Sequence, residues 1–367
     1  MLSLANTVSS SGVAHEQLYS LLLDGDSDYL QLPSSFSNPK ISISAWIYNT
    51  TETGTKCIFS NRNASVGATR GILFYVSSKT LRVKCQDVTL EATTGGAYNN
   101  WIHACMTFDP SAASNQLKLY ENGSLASQNT CTIAHDDTVW GTAKIGQANT
   151  TDYYFSGNID DVAIWDEALD ADAVAAVYNS GKPFNLNNNR GNYDNSSDLL
   201  AYYKMFNGPF DDLQNGVVHD AHNPGFGADV IDNGGFDDGS DWSITNNTGT
   251  ASEITGGYLR IETDGANTDV TQTSKTVANG VYKLDYIVLE SDGGDLGLVT
   301  QGNITSSIPS SVGTHTYYFT AHSTSFILKR RAGALDVKLD NVQLRRLNGY
   351  PGLTSGTATF SANTPDD

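Results

Sequence analysis

The chain has 367 residues, with 40 Asp and Glu against 21 Lys and Arg, so its formal net charge is −19. This charge repels phosphate backbones and anionic lipid surfaces, and the sequence has no apolar run of the roughly 18 residues that a membrane helix needs. Nucleic acid binding and membrane insertion are therefore not expected. The length predicts two domains, and the abundance of Gly, Tyr, Ser, Thr and Asn predicts an all-β protein.

The first region with regular structure is predicted at residues 18–205, after a polar, aperiodic N-terminal arm at residues 1–17. Apolar residues alternate with polar ones over several short segments, which is typical of half-buried strands. The clearest are SLLLDGDSDYLQL (20–32), ISISAWIYNT (41–50), WIHACMTF (101–108) and LLAYYKM (199–205). Asn122-Gly123 is a strong hairpin signal. This region is predicted to be one jelly-roll β-sandwich.

The segment FSGNIDDVAIWDEALDADAVAAVY at residues 155–178 is the most informative of the chain. It predicts a strand carrying Asp160 and Asp161, followed by one short helix near residues 168–179 that stops before Gly181. We expect this strand to lie beside the first strand of the domain. Aspartates from both strands would then meet.

The second half of the chain predicts a second β-sandwich. Residues 206–229 mix Gly, Pro, Asn and Asp without periodicity and are interpreted as a linker. Alternating strands follow over residues 230–347. Residues 348–367 are interpreted as a C-terminal tail that packs on a neighbour or stays mobile.

Both predicted domains resemble known families. The motifs Asp-Gly-x-x-Asp-Tyr, Ala-Trp-Ile, Trp-x-His-Ala-x-x-Phe-Asp, Leu-x-Leu-Tyr-x-Asn-Gly and Gly-x-Ile-Asp-Asp-Val-x-Ile-Trp resemble laminin G-like, concanavalin A-type jelly-rolls. Asn-Gly-x-Phe-Asp followed by Trp, and later Leu-Asp-Asn-Val-x-Leu, resemble carbohydrate-binding modules of families 4 and 9. The combination resembles that of bacteriophage virion proteins. The resemblance implies two sugar-binding sandwiches.

Two calcium sites are predicted. Calcium prefers six to eight oxygen ligands, and clustered aspartates at one edge of the first sandwich can provide them: Asp24, Asp26, Asp28, Asp160 and Asp161. The alternative is that Asp24-Gly25 and Asp26-Ser27 only form a turn, while one of Asp160 and Asp161 binds a loop by hydrogen bonds and the other faces water. The family resemblance implies a second, structural site that joins the two ends of the second domain through Asn233, Gly235, Asp237 and Asp340.

Sugar binding would depend on aromatic rings that stack on a pyranose while amides and carboxylates bind its hydroxyls. The candidates are Tyr98, Trp140, Tyr153 and Tyr154 in the first domain, and Trp242, Tyr282, Tyr286 and Tyr317 in the second. Trp46, Trp101 and Trp165 are assigned to the core. Because most aromatic residues on strands are core residues, each single candidate can also be structural.

No catalytic motif is found in the sequence. A glycosidase needs two carboxylates about 5–9 Å apart, and the Glu-x-Asp-x-x-Glu strand of laminarinase-type jelly-rolls does not occur. Cys57, Cys85, Cys105 and Cys131 lack the spacing of a zinc site. We expect buried thiols, with one or two disulfides after release from the cell as the alternative.

These observations lead to one function hypothesis and its alternatives. We expect a non-enzymatic bacteriophage virion protein, such as a capsid decoration, head fibre or tail appendage, whose sandwiches bind glycans. Such a protein would be made in the host cytoplasm without an export signal, would contact other virion proteins and would form homo-oligomers. The alternatives are a secreted bacterial adhesin, or an assembly protein that binds no sugar.

Overall fold

A computed structural model of the protein describes residues 18–63, 71–85, 88–92, 96–131, 141–148, 153–208, 210–301 and 304–365. It shows a nearly all-β protein, which confirms the predicted fold class. Within these ranges the one α-helix is α1 (Ala171–Tyr178), and none of the described helices is long and apolar enough to cross a membrane.

The strands fall into three consecutive groups along the chain. The first group is β1 (Ser20–Asp24), β2 (Tyr29–Gln31), β3 (Ile41–Asn49), β4 (Thr55–Ser60), β5 (Ile72–Ser77), β6 (Thr80–Cys85), β7 (Val88–Glu91), β8 (Trp101–Phe108), β9 (Leu117–Glu121), β10 (Ser124–Asn129), β11 (Lys144–Ile145), β12 (Ser156–Trp165), β13 (Leu199–Tyr203) and β14 (Val217–Val218). The second is β15 (Phe226–Asp229), β16 (Ser243–Thr245), β17 (Glu253–Thr255), β18 (Tyr258–Thr263), β19 (Asp269–Gln272), β20 (Val281–Asp292), β21 (Asp295–Gln301), β22 (Ile304–Ser307), β23 (Gly313–Thr320), β24 (Phe326–Ala332) and β25 (Leu335–Leu347). The third is β26 (Gly352–Ser355) and β27 (Thr359–Ser361).

The first sandwich consists of two antiparallel sheets. Sheet A has the order β10-β9-β8-β3-β12-β1-β27, with β13 also paired to β12, and sheet B has the order β14-β26-β2-β11-β4-β5-β6-β7. Alternate residues of the strands point inward and pack as one apolar core; on β3 these are Ile41, Ile43, Ala45 and Ile47. The predicted neighbours are confirmed, because β1 pairs with β12 in the register Leu21 opposite Ile159.

The helix forms where the sequence predicts it. The side chain of Asp170 caps its first turn by accepting a hydrogen bond from the backbone N–H of Ala173 at 2.8 Å. It ends at Asn179, whose left-handed conformation (φ 47°) precedes the predicted glycine stop. Its apolar side packs on the outer face of sheet A, together with Trp165 and Tyr202. The helix therefore covers part of that face.

The second sandwich is inserted into the first. Its sheets have the orders β17-β18-β25-β20-β23, with β15 on β25, and β16-β19-β24-β21-β22. Its core contains Phe236 and Trp242 at the start of the domain and Leu339, Val342 and Leu344 on its last long strand. The loop that contains Gly234 contacts β25, since the backbone N–H of Val342 donates to the carbonyl of Gly234 at 2.9 Å.

The C-terminal segment is not a separate tail, so that prediction is wrong. β26 lies between β14 and β2 in sheet B, and β27 pairs with β1 in sheet A. The buried carboxylate of Asp28 accepts a 2.5 Å hydrogen bond from the backbone N–H of Thr357, in the turn between these strands. Residues before and after the inserted domain therefore complete the first sandwich together.

Trp101 also differs from its assignment to the core. It lies half-exposed on the outer face of sheet A, and its indole N–H donates to the side-chain oxygen of Asn363 at 2.9 Å. Asn363 in turn donates to Asn158, whose amide donates to the hydroxyl of Ser20. This network fixes the end of the chain to sheet A. Trp46 and Trp165 are buried as predicted.

Candidate functional site

The two sandwiches contact each other through a small apolar interface. Val217 and Leu353 of the first sandwich pack with Val281, Tyr318 and Leu347 of the second. The phenol of Tyr203 reinforces the junction by donating to the carbonyl of Tyr350 at 2.7 Å. Because burial of apolar side chains holds these surfaces together, the space beside them has fixed walls.

A cleft of about 460 Å³ opens beside this interface and is the strongest candidate for a binding site. One wall comes from β2 and the residues before β11, and the other comes from β21 to β23 of the second sandwich. Its described lining is Gln31, Leu32, Pro33, Thr142, Asn279, Thr300, Ser306, Tyr317, Tyr318, Phe319, Thr320, Ala321 and His322. The volume falls in the range of roughly 300–1,000 Å³ that is common for ligand sites.

The chemistry of the cleft is aromatic and neutral. Tyr317 is half-buried against the second core, and Gln31 and Asn279 are also among the residues that line the cleft. Gln31 is held in place because its amide N–H₂ donates to the carbonyls of Leu32 and Ala143 at 3.0 and 3.2 Å. The described lining contains no Asp or Glu. It therefore has groups that stack and form hydrogen bonds, without the two carboxylates of a glycosidase.

The predicted aromatic residues do not form one site. Tyr317 lines the cleft, whereas Tyr282, Tyr286 and Trp242 are buried in the second core, so the prediction that these three stack on a sugar is wrong. Their polar atoms are used internally; for example, the phenol of Tyr286 donates to the carbonyl of Pro309 at 2.5 Å. In each of these side chains the apolar ring is packed in the core and the polar group is hydrogen-bonded, so no ring face remains at the surface.

The aromatic candidates of the first domain lie elsewhere. Tyr153 packs on the outer face of sheet B, the neighbouring phenol of Tyr154 accepts a hydrogen bond from Gln147 at 3.0 Å, and Tyr98 is half-buried in the loop before β8. Trp140 lies outside the described residues. Tyr98, Tyr153 and Tyr154 are on the first sandwich alone and are not among the described residues that line the cleft.

The predicted five-aspartate calcium site does not form. Asp24 lies opposite Ser156, four positions from Asp160 on β12, which corresponds to about 13 Å along a strand. Asp24 and Asp28 instead organise the turn after β1, and backbone hydrogen bonds, first from Ser27, lower the pKa of Asp24 to about 2. Asp26 is exposed at that turn. Among the described residues, no group of three or more His, Cys, Asp or Glu side chains is arranged to hold a metal.

Asp160 and Asp161 lie under α1 rather than at the sheet edge. A β-bulge at this point of β12 gives Asp161 a left-handed conformation (φ 43°), and its buried carboxylate accepts a hydrogen bond from the phenol of Tyr202. His103 lies in the same cluster, where burial lowers its pKa to about 4 although the charge of Asp161 opposes this shift. These groups stabilise the covered face of sheet A and do not reach the cleft.

The residues of the second predicted calcium site do come from adjacent segments. The loop with Asn233, Gly235 and Asp237 lies beside Asp340, because Gly234 is hydrogen-bonded to β25. The side-chain oxygen of Asn233 accepts the N–H of Asp237 at 2.9 Å, and one carboxylate oxygen of Asp340 accepts the N–H of Asn341 at 2.6 Å. These residues supply the oxygen ligands that calcium prefers, although only Asp237 and Asp340 contribute carboxylates.

An acidic groove of about 530 Å³ at one end of the second sandwich was not predicted. Glu262, Asp264, Asp292 and Asp336 line it, and Arg260 bridges two of them, at 2.8 Å to Glu262 and 2.6 Å to Asp336. The hydrogen bond from Arg260 lowers the pKa of Asp336. A general acid of a glycosidase requires the opposite shift, so this arrangement does not resemble a catalytic pair.

Comparison with known proteins shows what the first sandwich is similar to. Residues 24–175 match the family model described as the concanavalin A-like lectin/glucanases superfamily. Residues 24–175 of the first sandwich are thus similar to concanavalin A-like lectin/glucanase domains, which supports that part of the predicted resemblance. A search of curated proteins gives no match.

Solved structures with a similar arrangement include several sugar-binding proteins. A putative carbohydrate-binding protein from Bacteroides ovatus shares 15% identity with a TM-score of 0.43, and the match covers 56% of each chain. The sialidase module CBM40 of Ruminococcus gnavus, bound to α2,3-sialyllactose, shares 17% identity with a TM-score of 0.39 over 45% of this chain and 99% of that one. Domain 4 of a Geobacillus stearothermophilus arabinanase, in complex with arabinotriose, shares 18% identity with a TM-score of 0.35 over 43% and 76%.

Proposed function

We propose that this protein is a glycan-binding protein without catalytic activity, and that the cleft between its two sandwiches binds a neutral oligosaccharide. The observation that carries the proposal is the cleft itself, which is lined by the half-buried Tyr317 together with Gln31 and Asn279. Stacking on the apolar face of a sugar ring, with amides bound to its hydroxyls, is the usual chemistry of such sites.

The charge of the chain supports a neutral ligand over an anionic one. No Lys or Arg is among the described residues that line the cleft, and the net charge of −19 disfavours the approach of anions. A carboxylated sugar would need a cation in the wall to offset its desolvation. His322 is the only residue of the described lining that can become cationic.

The test is binding to neutral oligosaccharides on an array, followed by calorimetry on any hit. We expect Tyr317→Ala to weaken binding about fivefold or more, because a stacking aromatic contributes on the order of 1 kcal/mol. Tyr258→Ala is the matched control, since Tyr258 lies on β18 and does not line the cleft. The proposal would be contradicted if the protein bound no neutral oligosaccharide on the array, or if the two variants bound equally well.

We also propose a calcium ion at Asp237 and Asp340, with Asn233 and Gly235 nearby. The support is that hydrogen bonding of Gly234 to β25 places both ends of the second domain together. A cation between them would oppose separation of these ends and stabilise the folded domain by mass action. The families 4 and 9 resemblance of this domain stays a prediction.

The biological setting stays the one that the sequence suggests. We propose a virion protein that contacts other particle proteins and forms homo-oligomers, with a secreted adhesin as the alternative. Mass spectrometry of purified particles tests this setting independently of glycan binding. Absence of the chain from the particles would remove the virion proposal and leave the binding proposal intact.

A further inference from the structure

Two of the four cysteines lie side by side in the first sandwich. Cys85 ends β6 and Cys131 follows β10; their side chains are only 3% and 1% exposed. The Sγ atom of Cys131 is 4.0 Å from the carbonyl oxygen of Cys85, and the two thiol groups are within hydrogen-bonding reach. All four cysteines of the chain are reduced in this structure.

The pair lies where the two sheets approach each other at one edge of the sandwich. β6 and β7 end sheet B on this side, and β9 and β10 end sheet A. A contact between Cys85 and Cys131 therefore connects strands that share no backbone hydrogen bonds. The other two cysteines are separated from this pair and from each other, because Cys57 packs on the outer face of sheet B and Cys105 on that of sheet A.

We propose that Cys85 and Cys131 are a site of reversible oxidation, and form a disulfide between the sheets when the protein meets a low-molecular-weight disulfide such as oxidised glutathione. The thiolate of one cysteine attacks a sulfur of the oxidant, and one glutathione leaves as a thiol. The second cysteine then attacks the sulfur of the first and releases the second glutathione. Two protein thiols are oxidised, one glutathione disulfide is reduced, and the two protons end on the released thiols.

The surroundings of the pair determine when this reaction occurs. The hydrogen bond with Cys131, followed by burial, raises the pKa of the Cys85 thiol, so the folded protein exposes little thiolate to an oxidant. Oxidation therefore proceeds during folding or through local opening of this edge. In a reducing cytoplasm the thiols persist, whereas an oxidising environment outside the cell favours the cross-link.

The experiment is refolding of the full chain from urea in glutathione buffers of defined redox ratio. Proteolysis under non-reducing conditions and mass spectrometry should find one peptide pair joined through Cys85 and Cys131, lighter by about 2 Da than the two thiol peptides. The oxidised protein should unfold about 5–15 °C above the reduced protein, because the cross-link restricts the unfolded chain.

Two variants separate this pair from the other cysteines. Cys131→Ala should abolish both the linked peptide and the difference between oxidised and reduced melting temperatures, whereas Cys57→Ala should keep both. If a variant does not refold, the disulfide-linked peptides of the wild-type protein alone test whether Cys85 pairs with Cys131. Absence of the Cys85 to Cys131 peptide after oxidative refolding, or an equally abundant different pairing, would overturn the proposal.

Discussion

Replacement of Asp28 by Asn tests how the C-terminal segment is held to the first sandwich. The Asp28 side chain is 2% exposed, and its carboxylate accepts hydrogen bonds from the backbone N–H groups of Thr357 at 2.5 Å and Asp24 at 3.1 Å. These two donors approach different oxygens. In the Asn variant one oxygen becomes an N–H₂ group that faces an N–H donor, so one buried hydrogen bond is lost.

The expected cost follows from the charge and burial of this group. Hydrogen bonds to a charged acceptor contribute about 1.5–3 kcal/mol, so Asp28→Asn should lower the free energy of unfolding by about 2–3 kcal/mol. For a domain of this size that corresponds to a fall of about 4–10 °C in melting temperature. Asp26→Asn is the matched control, because Asp26 is exposed two residues away and should change stability by less than about 0.5 kcal/mol.

The assay is thermal and urea unfolding followed by tryptophan fluorescence in a Trp242→Phe background. The remaining tryptophans belong to the first half of the chain, so the signal reports on the first sandwich. Limited proteolysis should also release the C-terminal segment faster from Asp28→Asn than from Asp26→Asn. Equal melting temperatures and equal cleavage rates would refute the reasoning that Asp28 fixes this segment.

Three further outcomes are expected. Burial lowers the pKa of both His103 and His219 to about 4, while the unfolded chain protonates them below about pH 6.5. Each should therefore contribute a loss of stability of up to about 3 kcal/mol from pH 6.5 to 4. His103→Gln should remove part of this slope in urea titrations, and an unchanged slope would contradict the assignment. Gly352→Ala should lower the free energy of unfolding in urea by about 1–3 kcal/mol, because the added Cβ would lie 2.6 Å from the side chain of Leu30. Unchanged stability would contradict the close approach of β26 to β2. In calorimetry, millimolar calcium should raise the melting temperature of the wild-type protein but not that of Asp340→Ala. The same rise in both proteins would contradict the proposed calcium site.

Local patterns in the sequence were sufficient for most of the strands and for α1. Each depends on residues that are close in the chain, such as the period-two alternation of β3 or the cap at Asp170. The family resemblance of the first domain followed from motifs of the same local kind, and the family match over residues 24–175 supports it.

Most contacts between distant segments, unlike the pairing of β1 with β12, were not predicted. The cleft combines Gln31, Thr142, Asn279 and Tyr317, which come from four separate parts of the chain, and no local signal marks them as neighbours. The return of β26 and β27 to the first sandwich depends on the geometry of the inserted domain, since its first and last strands, β15 and β25, pair with each other and bring its two ends together.

The sequence alone therefore determined the class of structure, because hydrophobic periodicity, caps and turns act over a few residues. Only the tertiary structure decided which aspartates cap turns instead of binding metal, which tyrosines are buried, and which two cysteines meet. These outcomes depend on strand register and on the way two sandwiches share one chain. Both are set by the sum of many long-range packing contacts rather than by any single motif.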